Sequence, residues 1–209
     1  MGAALYGGFV GTYLRPLPPA DLARIEIPLS EVLPSPAGGV DTGEVPPLPP
    51  HGIGQHIKFP WSPAIKAVAI VPGFEVPTHR AREVLPANYS RADVVFNLQR
   101  IALLPIALGQ DVPNAEMIHL AMQDRIHQPY RQALIPGLDE VVKTLTPDTL
   151  NGFLGVCLSG AGPTILALAT GNYETIAKTI IDVLRRSGGD ENMSFDWMIL
   201  EPARGVHVV

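Results

Sequence analysis

The sequence predicts an α+β fold, with helices packed on one face of a mostly antiparallel sheet. Three observations predict it. From residue 64 on, the patterns run strand, helices, two strands, helix, strand, close to a split βαβ order. Two short apolar runs, Phe153 to Leu158 and Ile165 to Ala169, flank a small-residue loop, Leu158-Ser159-Gly160-Ala161-Gly162-Pro163-Thr164, and read as paired buried strands. Apolar residues make up 46 % of the 209 and charged residues only 17 %, so a sizeable core can form.

The elements follow in order. Residues 1–15 read as a small-residue helix end, a break at Gly7-Gly8 and a strand from Phe9 to Leu14. The chain opens apolar and Gly-rich, without a polar lead-in, and reads as a domain entered midway. Prolines crowd residues 16–63, which therefore read mostly as loop. Within them residues 20–27 suit a short strand or turn, and 34–54 a mobile insertion. Ile65 to Val71 is a strand ended by Pro72-Gly73. Thr78 is the expected cap of a short helix reaching Leu85 and stopped by Pro86. Ser90 with Asp93 opens a long helix over 91–108, with Val94, Val95, Leu98, Ile101, Ala102 and Ile106 at helical spacings. Asn114 caps a second helix, with Met117, Leu120 and Ala121 on one face and Pro129 near its end. Leu138 to Leu145 is a third. Tyr173 to Arg186 is amphipathic, with Ile176, Ile180, Val183 and Leu184 on one side, and Ser187-Gly188-Gly189 stops it. Ser194 to Glu201 is a strand, and Gly205 to Val209 suits a last short one.

Composition also excludes partners. A net charge of −5 without a Lys/Arg cluster argues against nucleic acid. No run is long enough for a membrane span, and the first residues lack the basic segment and apolar core of a signal peptide. The single cysteine, Cys157, allows no disulfide within the chain, fits a reducing compartment and reads as a small buried hydrophobe.

Four features carry possible chemistry. Thr78-His79-Arg80-Ala81-Arg82 puts a hydroxyl and two guanidinium groups at a helix start, where anions are favoured. A capped, solvated surface helix is the plainer reading. Arg131, in Tyr130-Arg131-Gln132, is a candidate clamp or an ordinary surface arginine after a helix break. His127 is a candidate base, although a lone histidine is as a rule structural or solvated. The Ser159-Gly160-Ala161-Gly162 loop is either a tight hairpin or a backbone surface under an anion site. No Walker-type loop, metal-ligand cluster or nucleophile–base set is visible in the sequence.

Together these segments resemble one family. Pro72-Gly73-Phe74-Glu75-Val76-Pro77-Thr78-His79-Arg80-Ala81-Arg82-Glu83-Val84-Leu85-Pro86 resembles the homoserine kinase pattern P-x-x-x-V-x-T-x-x-A-R-x-x-L-P. Gln128-Pro129-Tyr130-Arg131-Gln132-Ala133-Leu134-Ile135-Pro136-Gly137 resembles its E-P-Y-R-x-x-L-I-P-G segment, with Gln128 in place of the acid. Leu158 to Thr164 resembles the third motif of the kinases named after galactokinase, homoserine kinase, mevalonate kinase and phosphomevalonate kinase, the GHMP kinases. Gly7-Gly8-Phe9 resembles the G-G-F after the family's Asp-Asn motif.

The resemblance implies a ferredoxin-like GHMP kinase C-terminal domain over 64–209, preceded at 1–63 by a remnant of the N-terminal GHMP domain with the Pro-rich insertion. It implies transfer of the γ-phosphoryl group of ATP, with Mg²⁺, to the hydroxyl of L-homoserine, in the cytoplasm, on the route to threonine. Arg82 and Arg131 would bind the homoserine carboxylate, with Thr78 beside the substrate. Ser159, Gly160, Ala161 and Gly162 would support the phosphate loop from below. No catalytic residue and no metal ligand is assigned. The family's phosphate-binding pattern P-x-x-x-G-L-G-S-S is absent from this sequence, as is the acid that holds Mg²⁺. The expectation is thus a C-terminal part that keeps half the substrate site and lacks catalysis by itself. The resemblance allows a homodimer. A non-catalytic amino-acid-binding ferredoxin-like module is the alternative. A mevalonate-type kinase is disfavoured by the T-x-x-A-R-x-x-L-P and P-Y-R segments.

Overall fold

The computed structural model describes residues 9–14 and 54–202. The expected helix end before residue 9, the short strand or turn over 20–27, nearly all of the Pro-rich insertion and the last strand at 205–209 lie outside the described residues.

Strand β1, Phe9–Leu14, pairs antiparallel with β2, Gly54–Phe59, Phe9 facing Phe59 and Leu14 facing Gly54. The first is as expected. The second corrects the reading of loop up to residue 63. Between Pro50 and Pro60 the chain carries no proline, so every backbone N–H there can join a ladder.

The main sheet contains β3 (Lys66–Pro72), β4 (Phe153–Leu158), β5 (Ile165–Ala169) and β6 (Phe195–Leu200), in the order β4-β5-β3-β6. All neighbours are antiparallel. Numbered along this region the order is two-three-one-four, that of a ferredoxin-like sheet. The helices are α1 (Thr78–Glu83), α2 (Arg91–Leu108), α3 (Ala115–Ala121), α4 (Gln128–Arg131), α5 (Leu138–Thr144) and α6 (Tyr173–Gly188).

Helices cover both faces of this sheet, which corrects the one-face expectation. On one face α5 and α6 bury Val141, Ile176, Ile180 and Leu184 against Val68, Ile70, Phe153 and Ala167. On the other, α2 and α3 bring Ala107, Leu108 and Ile118 onto Leu154 and Leu168. In β5, Ile165, Ala167 and Ala169 join the first core and Leu168 the second. A strand apolar on both sides needs two covering layers, as in continuous apolar runs generally.

Capping is largely as the sequence predicts. Ser90 Oγ accepts from Asp93 N at 3.1 Å, and Asn114 Oδ1 from Met117 N at 2.9 Å. The four apolar positions expected on one side of α6 are all buried, and Gly189 closes that helix in the left-handed region. The long helix α2 departs from expectation. Leu98, Ile101 and Ile106 stand 60 %, 69 % and 63 % exposed, while Ala107 and Leu108 are buried. The helix is apolar on more than one side, so periodicity alone does not say which side meets the sheet. In α3 it is Ile118 with Ala121 that is buried, and Leu120 is exposed. Pro129 does not end α3; it lies in the first turn of the separate one-turn helix α4.

Candidate functional site

The site is assembled around Arg131. Helix α4 ends at this residue, and its guanidinium reaches two distant backbone carbonyls. Nε donates to Ala81 O at 3.1 Å and Nη1 donates to Gly160 O at 3.1 Å. Ala81 is the buried residue of α1, and Gly160 lies in the β4–β5 hairpin. One side chain thus joins its own segment to one 50 positions before it and one 29 positions after it. A guanidinium carries five N–H donors in a planar fork, so among the described residues Nη2 and one hydrogen on Nη1 remain for a ligand.

Thr78 is the first residue of α1 and its hydroxyl caps nothing; Pro77 holds the cap position, and its carbonyl accepts from Ala81 N. This corrects the expected cap. Pro77 fixes φ at −58° and so leads the chain into the helix. Thr78 and Arg82 are both exposed. Among the described residues neither side chain has a hydrogen-bond or ion-pair partner, whereas Arg80 is taken up by Glu83 at 3.2 Å. Among the described residues Arg82 is therefore an unpaired cation, one residue from the carbonyl that Arg131 holds.

The β4–β5 hairpin is tight. Ser159 N donates to Thr164 O at 2.9 Å and Gly162 N to Ser159 O at 3.1 Å. Gly160 and Gly162 sit at φ of +61° and +83°, where L side chains are strained, and a Cβ on Gly160 would meet no atom within 4 Å. The loop is thus an open backbone surface as well as a hairpin.

Two residues that sequence reading missed hold these parts in place. Asp124 accepts from Asn97 Nδ2 at 2.6 Å, Ile126 N at 2.7 Å, Gln128 N at 2.7 Å and His127 N at 3.1 Å. Burial pushes its carboxyl up, but these four donors outweigh burial and hold the pKa below its ordinary 3.8. Gln128, 7 % exposed, accepts from Leu158 N through Oε1 at 3.1 Å. An aspartate two to four residues before several unpaired N–H groups and a proline is the signal that could have marked this turn. Since the folded pKa of Asp124 is depressed, its contribution to stability is present above pH 3.8 and is lost as pH falls through the lower folded value. Urea titrations at pH 6 and pH 2.5 should show a smaller stability loss on acidification for Asp124→Asn than for the parent, after its lower baseline is subtracted.

His127 is half exposed at the start of α4, with Nδ1 at 3.9 Å from Asp124 Oδ2, an ion pair only when the imidazole is protonated. Cys157 is half-buried and lines an apolar cavity of about 430 Å³ between α2 and the sheet. Burial first, and the charge of Asp124 second, push its thiol up to about 11. Alkylation by iodoacetamide at pH 8 should run at least about 30-fold slower than in the urea-unfolded chain.

The fit to ATP and Mg²⁺ can be tested on the donors present. Among the described residues no three His, Cys, Asp or Glu side chains gather where a metal could sit. The hairpin offers open backbone, but its Ser159 and Gly162 N–H groups are already spent inside it. These residues do not by themselves fit a Mg–nucleotide, and no transfer step is derived through one. No helix of the described residues is long and apolar enough to cross a membrane.

The family model for the C-terminal region of GHMP kinases matches residues 106–190. Homoserine kinase of Saccharomyces cerevisiae is 57 % identical over 201 residues, which are 96 % of this chain and 55 % of that protein. That of Candida albicans is 45 % identical over 196 residues, 90 % of this chain and 54 % of that one. The crystal structure of homoserine kinase from Cytophaga hutchinsonii superposes with a TM-score of 0.59 at 30 % identity, covering 72 % of this chain and 46 % of that one. The chain spans about half the length of the curated relatives it matches. The ferredoxin-like sheet, the three motif segments brought together by Arg131 and the identity along nearly the whole chain lead to one conclusion: the chain belongs to the homoserine kinase family of the GHMP kinases.

Proposed function

We propose that the protein works as a homoserine kinase, converting L-homoserine to O-phospho-L-homoserine with ATP and Mg²⁺ in threonine biosynthesis. In this reading residues 64–209 form the GHMP C-terminal domain and 1–63 belong with the N-terminal one. The observation that carries it is the tie from Arg131 to Ala81 O and Gly160 O, which sets the exposed Arg82 helix beside the glycine hairpin. Arg82, with its fork unpaired among the described residues, takes the homoserine carboxylate bidentately, and the remaining donors of Arg131 add to it. Thr78 supplies a hydroxyl to the substrate. Ser159, Gly160, Ala161 and Gly162 present the open backbone on which a phosphate-binding loop rests. The nucleotide and its metal need ligands beyond the described residues, in keeping with the greater length of the relatives. A homodimer and a cytoplasmic location rest on the family resemblance.

Calorimetry with L-homoserine tests the substrate half. Arg82→Ala should weaken binding by roughly 10- to 100-fold, the cost of losing a charge-assisted bidentate pair. Unchanged affinity in the variant would remove Arg82 from the site. The same titration with Mg-ATP separates the kinase from a non-catalytic amino-acid-binding module, which would bind homoserine and ignore the nucleotide.

A further inference from the structure

β4 is an edge strand of the main sheet, so alternate backbone groups along it point away from β5. Ser159 N turns inward, to Thr164 O at 2.9 Å. Leu158 N, one residue earlier, therefore points outward, at the last position before the glycine hairpin. It is met by the Oε1 of Gln128, across 30 positions of sequence. Gln128 is in turn held by its own N–H on Asp124 Oδ2 at 2.7 Å, and Asp124 is anchored to α2 through Asn97. A continuous line of hydrogen bonds thus runs from α2 through the turn before α4 to the root of the hairpin. Arg131, three residues beyond Gln128, grips the hairpin's tip at Gly160 O.

We propose that Gln128 is a positioning residue that seats the glycine hairpin, fixing its root while Arg131 fixes its tip. The two contacts come from one four-residue helix, so α4 acts as a rigid bracket. Its orientation is set by Asp124, and through it the hairpin cannot tilt independently of α1. What the position requires is an acceptor for Leu158 N in a buried place. A neutral amide carbonyl meets that requirement without placing a second carboxylate beside Asp124, where two charges would share little solvent. An acid here also offers an acceptor in either protonation state, which accounts for the acid that the family pattern has at this position.

The consequence for catalysis rests on the reading of the hairpin as support for the phosphate loop, and the experiment separates the two. Amide hydrogen exchange, corrected for intrinsic rate, is followed at Leu158 and Ser159 in the protein and in Gln128→Leu and Gln128→Glu. Leaving a partly buried N–H unpaired should speed exchange at Leu158 by on the order of 10- to 100-fold in Gln128→Leu. Gln128→Glu should restore the protection, which a packing role alone would not do. A scalar coupling across the hydrogen bond, from Leu158 ¹⁵N to the Gln128 side-chain carbonyl carbon, tests the contact without any variant. Unprotected Leu158 without that coupling, or equal exchange in the parent and Gln128→Leu, would overturn the proposal. In the homoserine kinase assay Gln128→Leu should lower kcat about tenfold while leaving the affinity for homoserine within about twofold. Faster Leu158 exchange with kcat unchanged would uphold the seat and sink the phosphate-support reading.

Discussion

In the proposed kinase reaction, Arg131→Ala is expected to lower kcat/KM for homoserine by roughly 10²- to 10³-fold, the largest functional effect expected of a single change at this site. The substitution removes a cation from the proposed carboxylate site and two hydrogen bonds to carbonyls, Ala81 O and Gly160 O, at 3.1 Å each. Hydrogen bonds from a charged donor contribute about 1.5 to 3 kcal/mol each, and the pair is not additive because both depend on one fork. About 3 to 4 kcal/mol is the resulting scale. Arg131→Lys separates the two roles. A lysine keeps the charge but places a single ammonium where a planar fork spans two acceptors. If the tie matters as argued, Arg131→Lys recovers less than a tenth of the loss, and amide exchange quickens both at Gly162 in the hairpin and in α1. Recovery to near the parent rate with lysine would show that charge alone is needed and that the tie to the carbonyls is incidental.

Gly137→Ala is expected to be the most damaging small substitution for stability, by roughly 3 to 5 kcal/mol. Gly137 stands at the cap of α5 with φ at +82°, a conformation that already costs an alanine about 1 to 2 kcal/mol. Its missing Cβ would lie 2.7 Å from Leu184 O, 2.9 Å from Leu184 Cα and 3.0 Å from Gly188 N. These are backbone atoms of α6, which cannot swing aside as the end of a side chain can. The α5–α6 layer would have to separate, and with it Leu138, Val141 and Leu184, all fully buried. Denaturant unfolding measures this directly. Gly160→Ala is the comparison: φ is also positive there, but open space surrounds the position, so only the conformational cost of about 1 to 2 kcal/mol should appear. Equal losses at the two positions would mean that packing against α6 is not what requires Gly137.

Gly137 also shows why a motif residue need not touch a ligand. It closes the Leu-Ile-Pro-Gly stretch that follows Arg131, and the backbone of the neighbouring helix requires a glycine there. Arg131 is the contrary case. Its place in the motif pointed to a clamp, and the structure adds that the same guanidinium spends two of its donors on the protein.

Much was legible in the chain because it rests on local physics. The strands Phe153–Leu158 and Ile165–Ala169, the caps Ser90 and Asn114, and the buried face of α6 follow from apolar runs, side-chain capping and helical spacing. Motif resemblance, and not spacing, pointed to Arg82 and Arg131 as one substrate site; that Arg131 also holds the glycine hairpin was not read from it. Other features could not be read, because they depend on which surfaces face each other. Helix α2 is apolar on several sides, so only packing decides that Ala107 and Leu108 turn inward and Leu98 and Ile101 outward. β2 became a strand because β1 lies beside it, a partner about 40 to 50 positions away. Gln128 gained its role only when the fold brought Leu158 N to it, and of the bonds to Asp124 only the one from Asn97 depends on the fold. The sequence by itself determined the elements and the family; the tertiary structure decided the faces and the ties between segments, because a long-range hydrogen bond or a buried face exists only once two distant pieces of chain have met.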